Sequence, residues 1–171
     1  LSERVRTTHD VQLRQLQRVA FWLALLVGYM VVSGGLVAGI RAGKAYNTFP
    51  LMHGHVLPPE SFIIDPWYLN FFNNMALVQF DHRLGAWLLA FLVPWLWWKL
   101  SRAVVSRRVR LAATLLLIVL IAQIGLGIAT LLLAVPVGLG AAHQGGAMVV
   151  LGVLLWLNHE LRAVPSSGGA T

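Results

Sequence analysis

The sequence contains no cysteine and is poor in charged residues. Without cysteine, neither a disulfide framework nor a thiolate metal site can form. Charged residues make up 11% of the 171 residues, whereas a soluble domain usually contains about 25%. Hydrophobic residues make up 58%. This composition indicates an integral membrane protein.

Acidic residues are also scarce, with 6 Asp and Glu against 13 Lys and Arg and a net charge of +7. Such an excess can indicate binding to nucleic acid. Here, however, the basic residues lie in short segments between long apolar runs, and this distribution sets the orientation of membrane proteins. We therefore expect membrane lipid around the protein and no nucleic acid partner.

Four apolar runs reach the length of about 20 residues that a membrane-spanning helix needs. They cover residues 19–40, 76–98, 111–135 and 140–157. No small-residue cleavage site follows the first run, so it does not resemble a signal peptide. The pattern predicts an all-α integral membrane protein. We expect a basic cytoplasmic arm at 1–18, a four-transmembrane-helix bundle at 19–162 and a disordered tail at 163–171.

Basic residues also predict the orientation of the bundle. Ten of the 13 lie before the first run, between the second and third, or after the fourth. The positive-inside rule then places both termini in the cytoplasm, or in the matrix if the membrane is the mitochondrial inner membrane. Residues 41–75 form an outer loop whose aromatic side chains suit the headgroup zone. We expect short interfacial helices there, which act either as a structured connector or as a lid over a cofactor.

Two of the six histidines lie inside apolar runs, where a buried polar group suggests a function. These are His82 in the second run and His143 in the fourth. His53 and His55 lie two residues apart in the outer loop and form a weaker candidate metal site. The remaining two, His9 and His159, fall on the side of the termini, where we expect surface positions.

The two membrane histidines are expected at the same depth. Both runs cross from outside to inside, and both histidines lie near their outer ends. Two parallel helices that present one imidazole each at one level can hold a flat macrocycle between them, because haem iron accepts two axial ligands. Two histidines would leave half of the usual zinc ligands missing. We therefore predict that His82 and His143 bind haem iron, although a structural role remains the alternative.

Neighbouring residues fit the same interpretation. Glycines leave space for a flat ring or for close helix packing; those near the histidines are Gly85, Gly125, Gly127, Gly145 and Gly146. Haem propionates need cations, and Arg83, Arg41 and Lys44 lie at the expected outer ends of the first two runs. For Arg83, interaction with lipid phosphates is the alternative.

Four stretches then point to a known family. They read GKAYNTFPLMHGHVLP, NNMALVQFDHRLGAWLL, QIGLGIATLL and AAHQGGAMVVLGVLLWLNHELR. Together they resemble the C-terminal half of haem A synthase in its mitochondrial-type branch. The resemblance implies an eight-helix membrane protein with two similar halves. It further implies oxidation of the haem O methyl group to the formyl group of haem A for cytochrome c oxidase. The family's second half holds haem b between two histidines, which correspond here to His82 and His143.

One position departs from the half of the family that holds the substrate haem. That half has a glutamate three residues before its histidine, whereas this chain has Gln79. Asp81 is the only carboxylate that we expect inside the membrane. Because the chain lacks the substrate half and its glutamate, we expect that it does not complete the oxidation alone. The resemblance implies haem O in the missing half. Expected partners are membrane lipid and an N-terminal half or a second four-helix subunit of the synthase. Haem O synthase is a further expected partner.

Two other functions remain open at this point. The chain can be a stand-alone haem b protein that transfers electrons or carries haem during oxidase assembly. It can also be a haem-free structural subunit of a larger complex. The chain starts at Leu1 rather than at a methionine, which suggests a processed product or a piece of a longer protein.

Overall fold

The computed structural model describes residues 3–162, and side chains from residue 11 onward. It contains six helices, which we label α1 (Glu3–Gly39), α2 (Ala42–Ala45), α3 (Asn70–Asn73), α4 (Met75–Arg102), α5 (Arg107–Leu132) and α6 (Val137–Arg162). The part of the chain described contains no β-strand. Helices α1, α4, α5 and α6 are long and apolar enough to cross a membrane. The predicted all-α membrane protein with four spans is therefore confirmed, while its orientation stays a prediction.

The helix ends differ from the predicted ends of the apolar runs. Helix α1 continues without a break through residues 3–18, so most of the predicted basic arm is helical. Helix α5 stops before the predicted end at 135, because Ala134 and Val135 adopt left-handed backbone conformations with φ of 59° and 60°. Helix α6 starts after Pro136, which places His143 in its second turn rather than its first. The predicted tail at 163–171 lies outside the described residues.

The four long helices form a ring in which each contacts two neighbours. Helix α1 packs against α4 and α6, and α5 packs against the same two helices. Helices α4 and α6 therefore face each other diagonally across the bundle. Because consecutive spans alternate in direction, α4 and α6 run the same way.

The densest core lies toward the end of the bundle that carries the termini. It consists of nineteen buried side chains. The five leucines Leu23, Leu96, Leu116, Leu154 and Leu157 are each 2% exposed or less. Polar side chains also join α1 to α6 there. Gln17 donates to the carbonyl of Leu161 at 2.6 Å, and Asn158 donates to the carbonyl of Ala20 at 2.9 Å. This half of the bundle is thus closed by packing and by hydrogen bonds.

The 40–74 connection covers the opposite end of the bundle. It contains α2, α3 and two 3₁₀ turns at Pro59–Phe62 and Trp67–Leu69, in agreement with the short helices expected there. Asn74 caps α4, because its side chain accepts from the backbone N–H groups of Ala76 and Leu77. The same side chain donates to the carbonyl of Glu60 at 2.7 Å. The cap therefore fixes the connection to the start of α4.

Candidate cofactor site

The structure brings His82 and His143 together in the interior of the bundle. His82 lies seven residues after the start of α4, and His143 lies six residues after the start of α6. At 1.5 Å per residue, both lie about 10 Å from the starts of their helices. Their ring centroids are 6.4 Å apart, and the ring planes are inclined at 81°. The two histidines selected from the sequence thus form a facing pair.

The spacing of the pair suits a metal ion bound from two sides. The ring centroids are 6.4 Å apart. A metal ion midway between the rings, at about 2.0 Å from one nitrogen of each, would give nearly this separation between the centroids. Among the side chains that the structure describes, no group of three or more His, Cys, Asp or Glu could hold a metal ion. The donor set therefore fits a metal whose other ligands come from a macrocycle better than it fits a four-ligand zinc site.

Each imidazole lies against a glycine of a neighbouring helix. A Cβ atom on Gly34 of α1 would be 3.2 Å from Cε1 of His82, and a Cβ atom on Gly127 of α5 would be 2.6 Å from Cε1 of His143. A side chain at either position would compete with the ring for space. These two glycines are therefore required for the positions of the histidines.

The same contacts occur twice in the bundle. Three residues after each histidine comes another glycine, Gly85 in α4 and Gly146 in α6. A Cβ on Gly85 would overlap the side chain of Met30, and a Cβ on Gly146 would overlap that of Gln123. Met30 and Gln123 each lie four residues before the glycine that contacts a histidine ring. The hairpin of α1 and α4 is thus repeated by the hairpin of α5 and α6.

The two histidines differ in their hydrogen bonds. Nδ1 of His82 lies 2.8 Å from Oγ of Ser33, and this hydroxyl donates to the carbonyl of Met30 at 3.2 Å. Nδ1 of His143 is buried and has no hydrogen-bond partner among the described residues. The side chain of Gln123 donates to the backbone carbonyl of His143 at 2.7 Å rather than to its ring.

Arg83, beside His82, joins α4 to the 40–74 connection. Its guanidinium donates to the carbonyls of Tyr46, Thr48 and Pro50 at 2.8–3.2 Å, and to Oε1 of Gln79 at 3.1 Å. All four acceptors are neutral, and Nε of Arg83 is buried with no partner in the described part of the chain. The guanidinium therefore keeps an uncompensated positive charge near the histidines.

Two further predicted cations lie close to this arginine. Gln79 donates to the carbonyl of Ala42 at 3.2 Å and so holds α2 against α4. Arg41 and Lys44 lie on either side of Ala42, and both are exposed. Arg41 has a left-handed backbone, with φ of 57°, at the turn between α1 and α2. The structure thus places these cations at the same end of the bundle as Arg83.

The other polar candidates do not join the histidine pair. The ring of His53 packs on Tyr46 with 5.2 Å between centroids, and the backbone of His55 pairs with Met52. Among the side chains described, these histidines belong to no group of three or more potential metal ligands. Asp81 is only partly buried beside His82. We find no structural basis for a role of Asp81.

Three contact residues of the site were not selected from the sequence. They are Met30, Ser33 and Gln123. The repeated spacing of a histidine and a glycine three residues later could have indicated the duplicated hairpins. No comparable signal identifies the serine, because a single hydroxyl in an apolar helix is common and its partner lies on another helix.

Comparison with known proteins gives a consistent family match. The family COX15-CtaA, described as cytochrome oxidase assembly protein, matches residues 2–155. A haem A synthase of Nitrosospira multiformis is 63% identical over 151 residues, which cover 88% of this chain and 42% of that protein. The haem A synthase COX15 of Bos taurus is 42% identical over 160 residues, which cover 94% of this chain and 39% of that protein. No solved structure matches the chain significantly.

The matches cover only part of each relative. The chain covers about two fifths of the length of both relatives. The aligned part includes nearly the whole bundle described above.

Proposed function

Because the chain belongs to the COX15-CtaA family of cytochrome oxidase assembly proteins, we propose that it is the haem b-binding half of a haem A synthase. In this role it supports oxidation of the haem O methyl group to the formyl group of haem A, the haem of cytochrome c oxidase. The similarity to a mammalian COX15 protein supports placement in the mitochondrial-type branch. The membrane is then a bacterial cytoplasmic membrane or the mitochondrial inner membrane, with the haem site toward its outer face.

The facing pair of His82 and His143 is the observation that carries this proposal. Their rings are 6.4 Å apart, and a glycine backs each ring. A haem held by both imidazoles would supply one-electron transfer. The two histidines would hold and orient the group, and the surrounding apolar helices would exclude water from it.

The cations near the histidines support binding of the two propionates. Arg83 is only partly neutralised by its carbonyl acceptors, and a planar guanidinium suits a carboxylate. Arg41 and Lys44 would add positive charge at the same end. In this proposal Arg83 has two functions, since it also holds the 40–74 connection on the bundle.

The oxidation itself needs a partner. Gln79 is a neutral amide that already bonds Arg83 and Ala42, so it does not serve as a general base. We propose that an N-terminal half or a second four-helix subunit, carrying a glutamate motif, holds the haem O. Haem O synthase is a further proposed partner, because its product would have to reach that site.

Substitution of each histidine tests the binding site. The purified chain is expected to show a low-spin haem b spectrum, which His82→Ala and His143→Ala each abolish. His159→Ala is the matched control, because His159 is exposed at the far end of the same helix as His143. A low-spin spectrum that survives either of the first two substitutions contradicts the assignment.

Co-expression tests whether formation of haem A needs both this chain and a partner with the glutamate motif. In a host without a synthase, extracted haem should contain no haem A when this chain is expressed alone. Haem A should appear when a four-helix partner with the glutamate motif is added. If no such partner gives haem A while haem b remains bound, the alternative of a stand-alone electron-transfer or haem-carrying protein is favoured. Haem A from this chain alone would contradict the proposed need for a partner.

A further inference from the structure

We infer that the two histidine ligands are inequivalent: Ser33 positions His82 as the firm ligand, and His143 is the ligand that exchanges. This inference rests on the proposed haem site. It concerns which iron–nitrogen bond breaks when a small external ligand, such as cyanide, enters.

The two contacts of Ser33 favour one tautomer of His82. A serine hydroxyl has one proton to donate, and that of Ser33 goes to the carbonyl of Met30. In this inference its oxygen accepts the proton on Nδ1 of His82, 2.8 Å away, because a proton given to Met30 is not available to the imidazole. Nε2 of His82 then carries a lone pair, which is the form a metal needs. Ser33 is only 3% exposed, so water does not compete for this bond.

His143 has no equivalent partner. The duplicated hairpins align Gly34 with Gly127, so the residue before Gly127 occupies the position of Ser33. That residue is Leu126, whose side chain cannot accept a hydrogen bond. This difference accounts for the buried Nδ1 of His143, which lacks a partner among the residues described.

A hydrogen bond to the outer nitrogen of a metal-bound imidazole orients the ring and makes it a stronger donor. Loss of such a partner typically lowers metal affinity about 10- to 100-fold. His82 has this support. The His143 ring packs against Gly127 and has the backbone of Gln123 nearby, but its Nδ1 forms no hydrogen bond of acceptable geometry among the described residues. Cyanide is therefore expected to replace His143, with one iron–nitrogen bond broken, one iron–carbon bond formed and no change in oxidation state.

The tautomer can be measured without haem. Nitrogen NMR of the haem-free chain with labelled histidine should show a protonated Nδ1 on His82, and Ser33→Ala should remove that preference. Ser33→Thr keeps the hydroxyl and should retain it. A protonated Nε2 on His82 in the unmodified chain overturns the inference, and leaves the proposed haem b function untouched.

The exchange is tested on the haem-loaded chain. Leu126→Ser should give His143 a partner and slow cyanide binding about tenfold, since it supplies the missing support. Leu126→Ala is the matched control, because it opens similar space without adding an acceptor, and it should not slow binding. Ser33→Ala should release haem to a competing apoprotein about 10- to 100-fold faster. Equal cyanide rates for the two variants at 126, or unchanged haem release in Ser33→Ala, would refute the assignment.

Discussion

At the scale of single residues, two glycines set the distance between the histidine rings. Gly34 and Gly127 allow His82 and His143 to lie directly against the backbones of α1 and α5. Any larger residue would push a ring toward the centre of the bundle and narrow the space between the two imidazoles. The glycines are thus part of the site although they offer no donor atoms.

Gly127→Ala should therefore impair haem binding. Its Cβ would lie 2.6 Å from Cε1 of His143, and overpacking of this kind introduces about 1–3 kcal/mol of strain. Affinity should fall roughly tenfold or more. Gly125→Ala is the control on the same helix, because a Cβ there has no neighbour within 4 Å. Haem titration of the two variants measures the difference, and equal affinities would rule out this role for Gly127.

The pairing of the two histidines could be predicted from the sequence, whereas the contacts around them could not, and their role as ligands stays a prediction. His82 and His143 stand out because polar side chains are rare in membrane-spanning runs, and helix geometry gives their depth. The role of Ser33 depends on the rotation of α1 against α4, which hydrophobicity does not determine. The prediction for Arg83 anticipated a cation near the site, but not its bonds to the carbonyls of the connection.

At the scale of structural elements, the 40–74 connection is held by an interaction between Tyr46 and Glu60. The tyrosine hydroxyl donates to the carboxylate, and this bond keeps the pKa of Glu60 below its usual range. Burial, followed by the bond to Glu60, raises the pKa of Tyr46 to about 12. Tyr46 also supplies a carbonyl to Arg83, so the interaction is linked to the site.

This interaction should limit the stability of the connection at both ends of the pH scale. The lowered pKa of Glu60 gives stability that is present above the ordinary value of about 4.3 and is lost as pH falls through the folded value. The raised pKa of Tyr46 gives stability that is present below about 10 and is lost as pH rises toward about 12. Glu60→Gln should therefore reduce the melting temperature at pH 7 but much less at pH 3.

Absorbance at 295 nm provides a direct measurement of the tyrosine. A step near pH 12 should disappear in Tyr46→Phe and move to lower pH in Glu60→Gln. Tyr68→Phe removes an exposed phenol elsewhere in the connection and should leave that step in place. If Tyr68→Phe removes it instead, the assignment to Tyr46 is wrong.

Helix ends were less predictable than helix identity. The four spans followed from run length, but α5 stops early where Ala134 and Val135 turn the chain. Pro136 directly after Val135 disfavours continuation of the helix, but neither Ala134 nor Val135 normally favours a left-handed backbone.

At the scale of the whole molecule, the absence of cysteine allows the orientation to be tested with single introduced thiols. Asn47→Cys lies in the 40–74 connection, and Val104→Cys lies in the short connection between α4 and α5; both positions are exposed. An impermeant maleimide should label the first in intact bacteria and the second only after permeabilisation. Labelling of both in detergent is the control. The reverse pattern in intact cells would contradict the positive-inside prediction.

The packed half of the bundle also determines where electrons can enter. Arg162, at the end of α6, lies 19 residues beyond His143, or about 28 Å along the helix. The intervening space is filled by aliphatic side chains, and the rate of tunnelling falls exponentially with distance. A soluble reductant on the side of the termini is therefore too far from the histidine pair. The proposed haem has to exchange electrons with a donor within the membrane plane or on the side of the 40–74 connection.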